Sequence, residues 1–160
     1  MEAPAHVFAE GYAISRAGLS DLFGIWRLER ACFTRDAYGL VTLLTMALTP
    51  RLAHLKVVAD GRLVGYAASD LRSGEGTGWI VTIGVLPTHQ GRGIGARLLA
   101  SSEDAMRPAM RSVRLTVRRG NARAIHLYER SGYAWITTYT RYYADGEDGL
   151  VMEKILAPLH

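Results

Sequence analysis

Three glycines spaced two apart, Gly91, Gly93 and Gly95, follow the apolar run Ile80-Val-Thr-Ile-Gly-Val-Leu86 and open a stretch of helical periodicity. Glycine removes the side chain where the main chain bends, so successive N–H groups can converge on one anion. The N-terminus of the following helix adds its dipole. The pattern predicts a phosphate-binding turn built on Gly91, Gly93 and Gly95 at the end of a buried strand, with the ligand lying across that strand end. Downstream, Asn121 and Tyr128 stand seven residues apart, two turns of helix, so a helix cap and a phenol share one face.

Several anions would suit such a turn. Gly91-Arg-Gly93-Ile-Gly-Ala96 fits the G-x-G-x-x-A variant of a dinucleotide fingerprint. That motif places its first glycine directly after the strand and an acidic ribose partner about 20 residues on. Here Leu86 to Gln90 intervene, Arg118 stands where the acid belongs, and the surrounding hairpins leave one parallel βαβ unit. The context argues against a nicotinamide enzyme.

The elements that must position these residues follow from periodicity. Alternation in Gly11 to Arg16 predicts a strand. Ser20 or Asp21 caps a helix with Leu22, Phe23, Trp26 and Ala31 inward, and a second helix runs from Tyr38 to Leu48 with Pro50 ending it. Leu52 to Ala59 and Arg62 to Asp70 form a hairpin on Asp60-Gly61, and the glycine-rich Ser73 to Gly78 leads into the strand ending at Val85. A helix from Gly93 to Met106, a strand from Val113 to Val117 and a helix capped by Asn121 and ended by Gly132 come next. Tyr133 to Tyr143 and Leu150 to Ile155 complete the order βααβββαβαββ, a mixed α/β (α+β) class.

At 160 residues the chain suits one domain, residues 1–160, with a core that needs neither metal nor disulfide. The start Met-Glu-Ala-Pro-Ala-His is not a signal peptide, and the apolar stretch from Leu40 to Leu48 is too short to span a bilayer, so a cytoplasmic protein is expected. Cys32 stands alone, which suits a reducing compartment and reads as packing. The net charge of +4 is carried almost wholly by arginine. Arg107, Arg111, Arg114, Arg118, Arg119, Arg123 and Arg130 give the C-terminal half a positive field, either a solvated face or a patch for a phosphorylated cofactor or ribonucleoprotein.

Gln90-x-x-Gly93-x-Gly95 after Ile83-Gly-Val-Leu-Pro87 resembles motif A of the GCN5-related N-acetyltransferases, and Asn121-x-x-Ala124-x-x-x-Tyr128-x-x-x-Gly132-Tyr133 resembles their motif B. The resemblance covers essentially the whole chain. It implies a single mixed, mostly antiparallel sheet flanked by about four helices, and acetyl-CoA as cofactor with its pyrophosphate on the N–H groups of Gln90 to Gly95. The pantetheine would run beside Ile83 to Val85, and Asn121 would touch it. Tyr128 would protonate the departing thiolate. Relatives place a catalytic glutamate on the strand before the glycine turn or on the following strand, where this chain has Trp79 to Thr82 and Thr116. Asp36, Glu29 and His126 remain, with Asp36 preferred as the base. A site without a strong base suits α-amines, about 10% neutral at pH 7, better than lysine at about 0.04%.

Arg141-Tyr142-Tyr143-Ala-Asp-Gly-Glu-Asp-Gly149 resembles the tail of the N-terminal acetyltransferases of the RimI and Ard1 types. That resemblance implies that Tyr142 and Tyr143 close over the backbone of an acceptor peptide; Phe33 is a further candidate for binding it, in a segment that departs from the Ard1 type. The acceptor expected is a protein or peptide N-terminus, a ribosomal protein among the candidates, attacking directly in a ternary complex. No metal, membrane or sequence-specific nucleic acid is expected. The rivals are a small-molecule amine acetyltransferase and an acyl-CoA-binding module without catalysis.

Overall fold

A computed structural model describes residues 5–9, 11–71 and 76–157. The first four residues and the start of the glycine-rich segment at Ser73 lie outside the described residues. The elements are β1 (His6–Ala9), β2 (Tyr12–Arg16), α1 (Leu22–Cys32), α2 (Leu40–Ala47), β3 (Leu52–Ala59), β4 (Arg62–Asp70), β5 (Thr77–Val85), α3 (Ile94–Met106), β6 (Ser112–Arg118), α4 (Ala122–Arg130), β7 (Ala134–Tyr139) and β8 (Gly149–Ile155). They build one eight-stranded sheet in the order β1-β2-β3-β4-β5-β6-β8-β7. Every pair is antiparallel except β5 with β6.

Two strand readings change. β1 is additional: its four residues are mostly exposed and carry no burial period from which a strand could be read. The strand expected to reach Tyr143 ends at Tyr139, because Arg141 turns the chain at φ +51°. Tyr142 and Tyr143 therefore sit on the β7–β8 loop.

Helices α1 and α2 cover one face through Ile25, Leu28, Leu43 and Met46, packed on Tyr66, Ala68 and Val81. Leu22 and Trp26 pack on this cluster as expected, whereas Phe23 and Ala31 are exposed and Ile25 and Leu28 take the buried positions. Asp21 precedes α1 without capping it. Its carboxylate accepts from the Gly18 N–H and from Lys56, both at 2.8 Å. On the other face α3 buries Ile94 and Leu98 against β2, β3 and β4. Leu99 and Met106, with Tyr128 of α4, close over β5, β6 and β8.

Candidate active site

The parallel pair at the middle of the sheet opens like a V. Thr77, Gly78 and Trp79 of β5 pair with Ser112, Val113 and Arg114 of β6, and the pairing stops there. β5 stays on β4 as far as Val85, and β6 stays on β8 as far as Arg118. A β-bulge marks the divergence: Ala68 pairs with Thr82 and Ser69 with Ile80, which leaves Val81 as the extra residue. Between the splayed strands lies a cavity of about 600 Å³, walled by β5 from Trp79 to Ile83 and β6 from Leu115 to Arg118. That volume suits a small-molecule site.

At the open end of β5 the chain makes a 3₁₀ turn at Pro87–His89 and enters the glycine turn. Gly91 and Gly93 adopt φ +77° and +79°, a conformation that favours glycine, and nothing lies within 4 Å of a Cβ built on Gly93. The first hydrogen bond of α3 joins the Arg97 N–H to the Gly93 carbonyl. The N–H groups of residues 91–95 have no main-chain acceptor among the described residues, as an anion cradle at a helix N-terminus requires. Arg92 reaches back to the Tyr12 hydroxyl at 2.8 Å, and Gln90 Nε2 donates to the Val85 carbonyl at 3.0 Å. That carbonyl also accepts from Cys32 Sγ at 3.2 Å, so its oxygen is already engaged.

Across the cavity, Asn121 caps α4 by accepting the Ala124 N–H at 3.1 Å. Tyr128 lies two turns further on, and both residues line the cavity. The Tyr128 ring packs on Tyr133 at 6.0 Å. Burial, then the neighbouring Tyr143, push its phenol well above the ordinary value, so it stays protonated and can donate.

The matching family model is described as the acetyltransferase (GNAT) family and spans residues 22–133. The chain belongs to the GNAT family of acetyltransferases. It is similar to the catalytic subunit NAA10 of the N-terminal acetyltransferase A complex of Arabidopsis thaliana, 32% identical over 148 residues, covering 89% of this chain and 77% of the relative. It also resembles an N-alpha-acetyltransferase of Sulfurisphaera tokodaii, 30% identical over 88% of this chain and 91% of that one. Its fold matches that of a ribosomal-protein alanine N-acetyltransferase of Escherichia coli with TM-score 0.83 at 24% identity, over 93% and 96% of the two chains.

GNAT enzymes use acetyl-CoA, and the residues present fit it. Orphan N–H groups at a helix N-terminus match a pyrophosphate, and the edge of β5 that β6 leaves free matches the amide-bearing pantetheine arm.

The mouth of the acetyltransferase cavity is built from the α1–α2 segment and the β7–β8 loop. Arg118 joins them. Its guanidinium donates to both oxygens of Asp36, at 2.6 and 2.7 Å, to Asp145 at 3.0 Å and to Glu147 at 2.6 Å. It also stacks on Tyr143 at 4.1 Å. Arg118 holds the Asp145 carboxyl down to about 2, and the Gly120 N–H followed by Arg118 lowers that of Glu147. Burial, then Tyr142 and Asp36, push the Tyr143 phenol up to about 12. Tyr142 meets Tyr143 edge-on at 5.0 Å, and both line the cavity with Phe33. Phe33, Cys32 and Leu28 also press on Gly84, where an added Cβ would lie 3.2–3.3 Å from each.

This network bears on two expectations. Asp36, the preferred proton acceptor, receives a hydrogen bond from Arg118 on each of its oxygens. The positive field is also smaller than composition implies: Arg107, Arg114, Arg118 and Arg119 all pair with carboxylates distant in sequence or one turn away. Glu29, left as a lesser candidate, lines the cavity and is 1% exposed. His126 is exposed on the outer side of α4. Tyr38 and Tyr139 also line the cavity, and only the aromatic character of their segments pointed to them. Among the described residues no group of three or more His, Cys, Asp or Glu could hold a metal, and no helix is long and apolar enough to cross a membrane.

Proposed function

We propose that this acetyltransferase moves the acetyl group of acetyl-CoA onto the α-amine of a protein or peptide N-terminus, by direct attack while both substrates are bound. The 160 residues act as one transferase domain, and the lone free Cys32 suits a cytoplasmic setting. The observation that carries the reading is the aromatic mouth. Tyr139, Tyr142 and Tyr143 face Phe33 across the entrance, and Arg118 ties the two walls together. Such a mouth admits an extended chain end and closes on its backbone. N-terminal acetyltransferases among the relatives support the same substrate class.

Acetyl-CoA supplies the acyl group activated as a thioester. The N–H groups of residues 91–95 would hold its diphosphate, the open edge of β5 would align its arm, and Asn121 would meet that arm from α4. Tyr142, Tyr143 and Phe33 orient the acceptor so that its amine enters between β5 and β6. Tyr128, protonated across the working pH range, donates to the leaving sulfur.

The test is thiol release with acetyl-CoA and a panel of short peptides varied in their first two residues, beside spermidine, an aminoglycoside and an N-terminally blocked lysine peptide. Turnover confined to free N-termini is expected. Activity only on small amines would transfer the enzyme to that substrate class. A nourseothricin acetyltransferase shares the fold with TM-score 0.78 at 21% identity. CoA binding with no thiol release on any acceptor would leave a binding module.

A further inference from the structure

We propose that Glu29, positioned by Thr82, is the group that accepts the acceptor amine's proton during acetyl transfer. This rests on the acetyltransferase reading above and adds a residue to it. Glu29 sits in the last turn of α1 with its carboxylate on the cavity wall. One oxygen accepts the Thr82 hydroxyl at 2.8 Å and the other the Tyr38 N–H at 3.4 Å. Around it stand Cys32 of α1, Tyr38 of the α1–α2 segment, Tyr66 of β4 and Thr82 of β5, all uncharged at neutral pH.

Among the described residues no cation pairs with Glu29. A buried carboxylate is ordinarily paired, because its desolvation is otherwise uncompensated. Asp36 and Asp70, the other carboxylates lining the cavity, have their countercharges in Arg118 and Arg51. Glu29 is therefore the carboxylate of this cavity that gains from taking a proton, and burial raises its pKa against the lowering effect of Thr82 and the Tyr38 N–H. An α-amine ordinarily titrates near 8. A base raised toward that value takes its proton with less loss of driving force.

The step balances. The amine nitrogen bonds to the thioester carbonyl carbon and gives one proton to Glu29. The carbon–sulfur bond then breaks, and the thiolate takes the Tyr128 proton. Glu29 returns its proton to water in the cavity, and Tyr128 regains one, leaving amide and free thiol.

The experiment measures single-turnover rates against pH for the wild type, E29Q, T82V and T82S, with the acceptor that gives turnover in the panel above. It is paired with carbon-13 NMR titration of the Glu29 carboxyl in the protein alone, assigned by its absence in E29Q. E29Q is expected to lose about 10²-fold or more in rate together with the acidic limb of the profile. T82V removes a hydrogen bond that favours the charged form, so the limb and the NMR midpoint move up together, and T82S brings both back. Wild-type rate and profile in E29Q, or an NMR midpoint at the ordinary value of about 4.3, overturns the proposal. If E29Q does not fold, a limb unmoved in T82V overturns it instead. Turnover confined to small amines would refute the N-terminal reading and leave this test intact, since any amine must shed the same proton.

Discussion

Tyr128→Phe separates a catalytic phenol from a packing one, because the fold gives its hydroxyl nothing else to do. The ring is 7% exposed and packs on Tyr133, while no hydrogen bond contributes to the state of its hydroxyl. Phenylalanine therefore keeps the packing and forfeits no protein hydrogen bond. The expected stability change is within about 0.5 kcal/mol, or about 1–2 °C in Tm for a chain of this size. The rate should fall by about 10²–10⁴, which at 1.36 kcal/mol per decade is about 2.7–5.4 kcal/mol of transition-state stabilisation. Burial and the neighbouring Tyr143 keep the phenol protonated, so the wild type should show no alkaline loss from this group up to about pH 10. The assays are differential scanning fluorimetry, isothermal titration with CoA and single-turnover acetyl transfer on one preparation. Unchanged Tm and CoA affinity with a rate within threefold of wild type would remove Tyr128 from the mechanism. A large Tm loss would show instead that the hydroxyl is structural.

Gly93→Val forces a branched residue into φ +79° and should cost at least about 1–2 kcal/mol of stability. Its side chain would stand in the open cradle, so CoA affinity by titration calorimetry should fall more than tenfold in a protein that still melts cooperatively. Arg118→Met keeps the stem over Tyr143 but releases Asp36, Asp145 and Glu147, so the acceptor KM should rise more than tenfold while the CoA Kd stays put. The Asp145 and Glu147 carboxyls are depressed, so their contribution is present above their ordinary range and lost as pH falls through their lowered values, about 2 for Asp145. The Arg118 network should accordingly add no pH dependence of its own to the acceptor KM from pH 5 to 9, read as an equal KM ratio of R118M to wild type across that range. Glu29 has the opposite sign: its folded pKa is raised, so stability falls as pH rises from its ordinary value through the raised one. The Tm of E29Q relative to wild type should therefore be higher at pH 8 than at pH 5.

What the chain reveals in one dimension is local. The glycine turn, the Asn121 cap and the Asp60-Gly61 hairpin are set by φ preferences and short-range hydrogen bonds, and each lies where its residues place it. The buried face of α1 departs from the expected one at Phe23, which is apolar but 60% exposed and meets the ring of Trp26 at 5.4 Å, while Leu22 and Trp26 pack on the core as expected. The partners of Arg118 lie 82, 27 and 29 residues away, beyond any periodicity. Asp36 therefore read as a free turn acid. Glu29 stands among three candidate bases with nothing in the sequence to favour it, since only the meeting of α1 with β5 removes it from water.

That meeting depends on one inserted residue. Ile80 faces α3, with Leu99 and Met106, while Val81 faces α1, with Ile25 and Leu28. Strict alternation would return Thr82 to the α3 face. The bulge at Val81 resets the alternation, so Thr82 follows Val81 toward α1 and its hydroxyl meets Glu29 at 2.8 Å. The same bulge lies where β5 parts from β6, because a bulged strand bends and twists away from its neighbour. One extra residue thus opens the slot for the donor arm and aims a hydroxyl at the carboxylate facing it. In Ile80-Val-Thr-Ile83 nothing but an apolar strand is visible, since a bulge exists only in the register with β4. Deleting Val81 should both restore β5–β6 pairing and turn Thr82 away from Glu29. Donor binding and proton transfer would then be lost together, whereas T82V leaves donor binding in place.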